Sequence, residues 1–243
     1  MSLKMSGLKK AVHRFNHRIE KQVVKPVKDM ASFFHHFIHY PKTIGAATPS
    51  SPFVGKAIAK KIDEIPFKNK RILEIGAGTG VITEHLLQHL EDGDHLDVIE
   101  CVPELVKELR ILVNNSPKRN QVTIHEKKVE DYFPEKPYHF IISGLPLTVF
   151  HPEQVKFFYQ KLETELLAKE GLFTYYEYLA LPELRLCAYS LCKKLKPELY
   201  NHFRRILKTK NDYLKHKPVE HNTIWLNFTP MKVIHVKNPL NVR

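Results

Sequence analysis

Short apolar runs and amphipathic stretches alternate through the central part of the chain. Apolar runs with the length of buried strands occupy residues 71–75, 95–100, 122–125, 138–143 and 172–178. Residues 79–90, 103–113 and 153–167 carry apolar side chains at the three- and four-residue steps of amphipathic helices. Strands that alternate with helices at this spacing predict an α/β domain with a mostly parallel sheet and right-handed crossovers.

The flanking segments add elements at both ends of this pattern. The spacing predicts one helix over residues 53–62 and another over 183–195. Residues 203–207 and 223–236 alternate between apolar and polar positions, which predicts an antiparallel pair of strands at the sheet edge. The expected sheet is therefore mostly parallel and seven-stranded, with an antiparallel edge hairpin.

Residues 1–40 have a different, basic amphipathic pattern. Apolar side chains recur every three or four residues from Leu8 to Ile38, and Lys and Arg occupy the opposite face. Pro26 is expected to kink or break this helix. The helix either packs on the domain or lies in a membrane interface with its cations toward lipid phosphates. We divide the chain into this helix, 1–40, with membrane-surface binding as its expected role, and a catalytic domain, 41–243.

Composition narrows the function classes. A formal net charge of +12 indicates a polyanionic partner, and nucleic acid and anionic lipid fit equally well. The three cysteines are scattered without a paired spacing, so we expect neither a disulfide framework nor a metal site. The sequence shows no signal peptide and no run long enough to span a bilayer, which favours the cytoplasm.

The chemistry begins at a glycine motif between the first strand and the following helix. Glu74-Ile-Gly76-Ala77-Gly78-Thr-Gly80 allows a sharp turn and a close backbone approach to a ligand. Glu100, at the end of the second strand, is placed to accept hydrogen bonds from both hydroxyls of an adenosine ribose. The alternatives are an NAD or FAD site, or a turn without a ligand. The glycine spacing differs from the dinucleotide pattern, and Glu74 would repel a pyrophosphate.

Residues 70–180 resemble class I S-adenosylmethionine methyltransferases, which have a Rossmann-like fold. The resemblance implies that S-adenosyl-L-methionine is the cofactor. It places Glu74 near the methionine amino group and Glu100 on the ribose, and the cofactor-binding residues that it implies are Glu74, Gly76, Ala77, Gly78, Gly80, Glu100, Cys101, Val129, Glu130 and Ser143. Glu130, with the Val129 backbone, is expected to receive the adenine amino group, although a solvated loop acid is the alternative.

The fourth strand ends in Ser143-Gly144-Leu145-Pro146-Leu147, where doubly wound sheets bind their ligands. In adenine and amide methyltransferases this position carries Asn or Asp followed by a Pro-Pro-Tyr or Leu-Pro-Tyr turn. Ser143 and Leu147 replace the Asn and the aromatic residue, which argues against a flipped base as acceptor.

The same turn is similar to that of bacterial soluble-type phospholipid N-methyltransferases. Residues 40–51, which include Tyr40, Thr48 and Ser50, and residues 225–233 resemble further segments of that family. The resemblance implies cofactor contacts for Thr48 and Ser50. Tyr40 is expected either to close over the site or to anchor the N-terminal helix.

The resemblance implies an in-line transfer of a methyl group to a primary amine. The catalytic residues that we expect are Ser143, Gly144, Leu145, Pro146, Tyr40 and Glu177. The Gly144 and Leu145 carbonyls and the Ser143 hydroxyl would orient the amine. Glu177, Tyr176 or Tyr178 would take its proton, and packing at a strand end is the alternative for all three. Lys42, Arg185 and Arg204 are candidates for a lipid phosphate.

The expected function is N-methylation of phosphatidylethanolamine toward phosphatidylcholine, at the inner face of the cytoplasmic membrane. Its partners would be that lipid and an anionic membrane surface, with no stable nucleic-acid partner. The alternatives are a ribosomal RNA adenine N6-dimethyltransferase, and a non-catalytic membrane-binding module, against which the intact Glu74 and Glu100 argue.

Overall fold

A computed structural model describes residues 52–179, 186, 189–190, 197–225 and 230–238. The strands are β1 Arg71–Ile75, β2 His95–Glu100, β3 Val122–Glu126, β4 Tyr138–Ser143, β5 Leu167–Tyr178, β6 Val219–Ile224 and β7 Met231–Lys237. The helices are α1 Pro52–Ala59, α2 Val81–His89, α3 Pro103–Asn114, α4 Pro152–Lys161 and α5 Pro197–Leu214. The N-terminal helix predicted over 1–40 lies outside the described residues, and so does most of the helix predicted over 183–195.

The seven strands form one sheet in the order β3-β2-β1-β4-β5-β7-β6. Strands β1 to β5 are parallel, β7 pairs antiparallel with β5, and β6 pairs antiparallel with β7. The predicted class, a Rossmann-like and mostly parallel sheet with an antiparallel edge hairpin, is confirmed. The strand order reverses between β1 and β4, and ligands of such sheets bind at the carboxyl edge at this point.

Buried apolar side chains cover both faces of the sheet. On one face, α4 and α5 pack through residues such as Phe158 and Tyr213 against Phe173 and Tyr175 of β5. On the other face, α1 and α2 pack against alternate positions of the same strands, among them Phe140. Because neighbouring side chains of a strand point to opposite faces, adjacent residues of β5 belong to different clusters. This alternation decides whether a side chain of β5 points toward α4 and α5 or toward α1 and α2.

The predicted strand at 203–207 is wrong, because this segment belongs to α5. Pro197 opens the helix and Glu198 lies in its first turn, both favourable at a helix N-terminus. Phe203, Ile206 and Tyr213 are buried at helical spacing. Both strands of the edge hairpin come instead from residues 219–237, so only the predicted segment 223–236 contributes to it.

Two other boundaries differ from the predictions. The helix predicted over 153–167 ends as a π-helical turn, Leu162–Leu166, and β5 begins at once with Leu167. The first part of β5 contains a register shift relative to β4, near Gly171 and the positive φ of Glu170. The regular pairing starts at Leu172, which is where the sequence predicted the strand.

A cluster of hydrogen-bonded polar side chains lies on the face of the sheet that α4 and α5 cover. Asp97 accepts hydrogen bonds from His125 Nε2 at 2.7 Å and from the Tyr138 hydroxyl at 2.8 Å, and Tyr132 hydrogen-bonds to Tyr138. Burial alone would raise the pKa of Asp97, but the bonds from His125 and Tyr138 outweigh it and lower that pKa. The cluster fixes β2 against β3 and β4.

Candidate active site

The glycine loop joins β1 to α2 at the carboxyl edge. Gly76, Gly78 and Gly80 have φ angles of +72°, +62° and +86°, in the left-handed region that favours glycine. A Cβ atom at Gly76 would lie 2.8 Å from Leu145 Cδ2, whereas one at Gly78 would meet no atom of the described residues within 4 Å. The loop therefore packs tightly at Gly76 and leaves bare backbone open at Gly78, as close approach of a ligand requires.

Glu74 lies at the end of β1 and is buried. Its Oε2 accepts a hydrogen bond from Thr83 Oγ1 of α2 at 2.6 Å, whereas its Oε1 is buried and has no hydrogen-bond partner among the described residues. The pKa of Glu74 is raised to about 7. Burial is the largest cause, the hydrogen bond from Thr83 acts in the opposite direction, and the negative charge of Glu100 adds to the rise. A buried carboxylate oxygen without a donor is suited to a cationic ligand group, which would both bond to it and neutralise it.

Glu100 holds three backbone N–H groups at the end of β2. Its Oε2 accepts from Gly78 at 2.9 Å, and its Oε1 accepts from Cys101 at 2.8 Å and from Val102 at 3.0 Å. The carboxylate thus ties the glycine loop to the turn after β2. Both lone pairs of Oε1 are occupied by these bonds, whereas Oε2 has one left, so Glu100 retains capacity to accept a ribose hydroxyl.

The turn after β3 lies beside Glu100. The Lys127 N–H donates to the Glu100 carbonyl oxygen at 3.1 Å, and the short 3-10 helix Val129–Asp131 follows. Val129 is buried, Glu130 is half-buried, and the charge of Glu130 acts on the exposed Cys101. The structure therefore brings Cys101, Val129 and Glu130 to one corner, next to the predicted ribose position.

The β4 turn packs directly on the glycine loop. The Gly144 N–H donates to the Ile75 carbonyl at 2.8 Å, and a Cβ at Gly144 would lie 2.6 Å from the Gly76 carbonyl oxygen. Ser143 is buried, and its hydroxyl accepts from the Leu145 N–H at 3.3 Å. Pro146 then opens the short helix Leu147–Val149. The predicted acceptor residues therefore lie in contact with the predicted cofactor residues.

The end of β5 places two of its three candidate residues, Tyr176 and Tyr178, on one face of the sheet and Glu177 on the other. Glu177 faces α5, where both of its carboxylate oxygens accept from Lys210 Nζ at 2.8 Å. Tyr176 faces the other side, and its hydroxyl oxygen is 3.3 Å from the position of a Cβ at Gly144. The proton-accepting role of Glu177 stays a prediction, and the structure shows its carboxylate bound to an ammonium group.

Three predicted site residues, Tyr40, Thr48 and Ser50, lie outside the described residues. Sequence reasoning missed Thr83 and Lys210, the partners of Glu74 and Glu177. Thr83 had a local signal, since a first-turn residue of α2 faces the adjacent end of β1. Lys210 had none, because its pairing depends on how α5 docks on β5. Within the described residues, no cluster of three potential metal ligands occurs.

The donors and acceptors of this site fit S-adenosylmethionine. The orphaned Oε1 of Glu74 suits the ammonium of its methionine part, and the open backbone at Gly78 lies beside Glu100, a ribose acceptor. The adenine-binding roles of Glu130 and the Val129 backbone stay predictions. A pyrophosphate would instead meet two carboxylates at the same loop, which disfavours a dinucleotide.

Comparison with known proteins agrees with this chemistry. Residues 72–171 match a family model described as a methyltransferase domain, and this range runs from β1 into β5. With the fold, the match indicates an S-adenosylmethionine-dependent methyltransferase domain. S-adenosylmethionine is its cofactor.

Individual relatives differ in their acceptors. An ornithine lipid N-methyltransferase from Singulisphaera acidiphila is 26% identical over 60% of this chain and 77% of that enzyme. A tRNA1(Val) (adenine(37)-N6)-methyltransferase from Cronobacter sakazakii is 30% identical, but the match covers 32% of this chain and 33% of that enzyme. The chain thus spans about three quarters of the first relative and a third of the second.

Among solved structures, the SAM-dependent O-methyltransferase of Thermotoga maritima superposes with a TM-score of 0.53. It is 14% identical, and the superposition covers 86% of this chain and 71% of that chain. This likeness supports the fold assignment. Within the described residues, no helix has the length and apolarity needed to cross a bilayer.

Proposed function

We propose that this chain N-methylates the primary amine of phosphatidylethanolamine, toward phosphatidylcholine, at an anionic membrane surface. The end of β4 carries the proposal. Ser143 is buried, and the turn after it offers a hydroxyl and backbone carbonyls, without the amide and aromatic ring that hold a flipped base. A small amine needs only a few acceptors to be oriented, which such a turn supplies.

Two further observations support a lipid acceptor. The ornithine lipid N-methyltransferase acts on a lipid by its name, and its similarity extends over 60% of this chain. The net charge of +12 would attract an anionic surface. The similarity to the tRNA methyltransferase covers 32% of the chain, so it says less about the acceptor.

When bound, S-adenosylmethionine supplies an electrophilic methyl group, which passes to the amine nitrogen while the electron pair of the broken C–S bond goes to sulfur. The protein contributes alignment. Glu74 and Glu100 hold the cofactor end of the site, and the β4 turn holds the amine end through the Gly144 and Leu145 carbonyls. The Leu145 carbonyl already accepts the Leu147 N–H at 2.9 Å, which fixes its direction and leaves its second lone pair for the amine.

The lipid phosphate requires a cation near the β4 turn. Arg204 is exposed on α5, two residues after His202, whose Nε2 lies 3.2 Å from the Phe150 carbonyl oxygen at the end of that turn. Arg205 on the same helix is paired with Glu153. Because residues two apart on a helix point in different directions, the His202 contact does not bring Arg204 to the turn. Arg204 stays one candidate for the phosphate, and the other two, Lys42 and Arg185, lie outside the described residues.

Membrane attachment through residues 1–40 is part of the proposal, as is a location at the inner face of the cytoplasmic membrane. The double substitution Phe33→Glu with Phe34→Glu is expected to abolish co-sedimentation with anionic vesicles while leaving cofactor affinity unchanged. Unchanged sedimentation would show that these residues are not the anchor.

The acceptor is tested by transfer of radiolabelled methyl groups from S-adenosylmethionine. Parallel reactions contain phosphatidylglycerol vesicles with phosphatidylethanolamine, the same vesicles with ornithine lipid, and undermethylated ribosomal subunits with tRNA. We expect label in methylated phosphatidylethanolamine, identified by chromatography. Label in ornithine lipid alone would mean that the acceptor headgroup is that of ornithine lipid and not ethanolamine. Label in RNA alone would refute a lipid acceptor.

A further inference from the structure

We infer that the hydroxyl of Tyr176 is a catalytic contact of the acceptor, which accepts a hydrogen bond from the amine N–H and aims the nitrogen at the transferred methyl. This role rests on the proposed function, because it requires an amine acceptor. It selects Tyr176 from the three residues that the sequence offered at the end of β5, which also include Glu177 and Tyr178.

The Tyr176 hydroxyl lies close to the β4 turn. Its oxygen lies 3.3 Å from the point where a side chain at Gly144 would begin, and that point is 2.6 Å from the Gly76 carbonyl oxygen. Tyr176 therefore reaches the place where the β4 turn and the glycine loop meet. This junction joins the predicted cofactor residues of the glycine loop to the predicted acceptor residues of the β4 turn.

Tyr176 and Glu74 lie on the same face of the sheet. Tyr176 packs with the apolar cluster on the α1 and α2 side, and Glu74 faces that side through its bond to Thr83. Glu177 faces α5 and is bound to Lys210. The tyrosine thus shares a face with the cofactor-binding carboxylate, whereas Glu177 does not.

The chemistry of a phenol explains the role. A neutral primary amine uses its lone pair to attack, so its two N–H groups are free to bond to acceptors. One is directed at the Gly144 and Leu145 carbonyls of the β4 turn, and the tyrosine oxygen accepts the other. The surplus proton leaves to water after transfer. Each added methyl group removes one N–H, so a neutral dimethylated amine has none left to donate to Tyr176.

This loss of N–H groups makes the role testable with Tyr176→Phe. Vesicles of phosphatidylglycerol with phosphatidylethanolamine, its monomethyl form or its dimethyl form serve as three acceptors. We expect kcat/KM to fall about tenfold with phosphatidylethanolamine, the order of one lost hydrogen bond, and by less than about twofold with the dimethyl lipid. The Kd for S-adenosylmethionine should not change.

Tyr175→Phe is the matched control. Tyr175 is the preceding residue, faces α4 and α5, and has a buried hydroxyl without a hydrogen-bond partner. This variant should match the wild type with all three acceptors. Equal activity of Tyr176→Phe and wild type, or an equal loss with all three acceptors, would overturn the role of Tyr176. Wild-type inactivity toward all three would instead refute the lipid amine, and the role of Tyr176 with it.

Discussion

The Gly78 N–H donates to Glu100 Oε2 across 2.9 Å, so the ribose acceptor also holds the glycine loop. The same carboxylate binds the N–H groups of Cys101 and Val102. One side chain therefore couples the shape of the loop to the binding of the cofactor. Its removal should affect both.

Replacing Glu100 by Ala is expected to weaken S-adenosylmethionine binding by roughly 2 to 3 kcal/mol, because charge-assisted hydrogen bonds are lost. The three N–H groups lose their acceptor as well, so thermal stability should also fall. Calorimetry and thermal unfolding measure the two effects. Glu100→Gln keeps a single carbonyl acceptor and should fall between Ala and wild type, and an unchanged affinity in both variants would place the ribose elsewhere.

The free protein should lose stability as the pH rises toward neutrality because of Glu74. Its pKa in the folded protein is about 7, above the ordinary value of 4.5, so the folded state binds this proton more tightly than the unfolded state. The stabilisation is complete below about pH 4.5 and is lost as the pH rises through 7. Glu74→Gln should remove this component, which chemical denaturation at several pH values would reveal.

Cofactor binding should show the opposite pH dependence. A cationic amino group at Glu74 favours its ionised form, so affinity should increase between pH 5.5 and 7, roughly the range below the Glu74 pKa, with release of a proton on binding. Calorimetry in buffers of different ionisation enthalpy counts that proton. If wild type and Glu74→Gln release equal numbers of protons, Glu74 is not the group that titrates.

Alanine at the two glycines of the site should have different effects. At Gly144 its Cβ would lie 2.6 Å from the Gly76 carbonyl, so the two loops must separate and the protein should lose both stability and activity. At Gly78 the Cβ meets no protein atom, and the backbone strain at φ +62° costs about 1 kcal/mol. Gly78→Ala should therefore remain folded but bind the cofactor poorly. Near-native affinity of this variant would show that the ligand does not approach there.

Acid stability should depend on Tyr138. The pKa of Asp97 is lowered in the folded protein, so its stabilisation is present above the unfolded value of 3.8 and is lost as the pH falls through the folded value. Tyr138→Phe removes one donor to Asp97 and should cost about 1 to 3 kcal/mol near neutral pH. Its acid-unfolding midpoint, followed by circular dichroism, should move to higher pH. An unchanged midpoint would mean that His125 alone keeps Asp97 ionised.

The parallel core and the positions of Glu74 and Glu100 at the strand ends could be predicted from the sequence, whereas the cofactor roles of these two residues stay predictions. The order of strand, glycine loop and helix is local, and the residues that end β1 and β2 are adjacent wherever such strands pair, so Glu74 and Glu100 followed from their positions. The tertiary structure alone decided the acceptor end. Tyr176 and Glu177 are neighbours in sequence, but strand alternation and the docking of α5 direct one to Gly144 and the other to Lys210. Residues 203–207 show the same limit, since their short apolar pattern fits either strand or helix, and packing against α4 selects the helix.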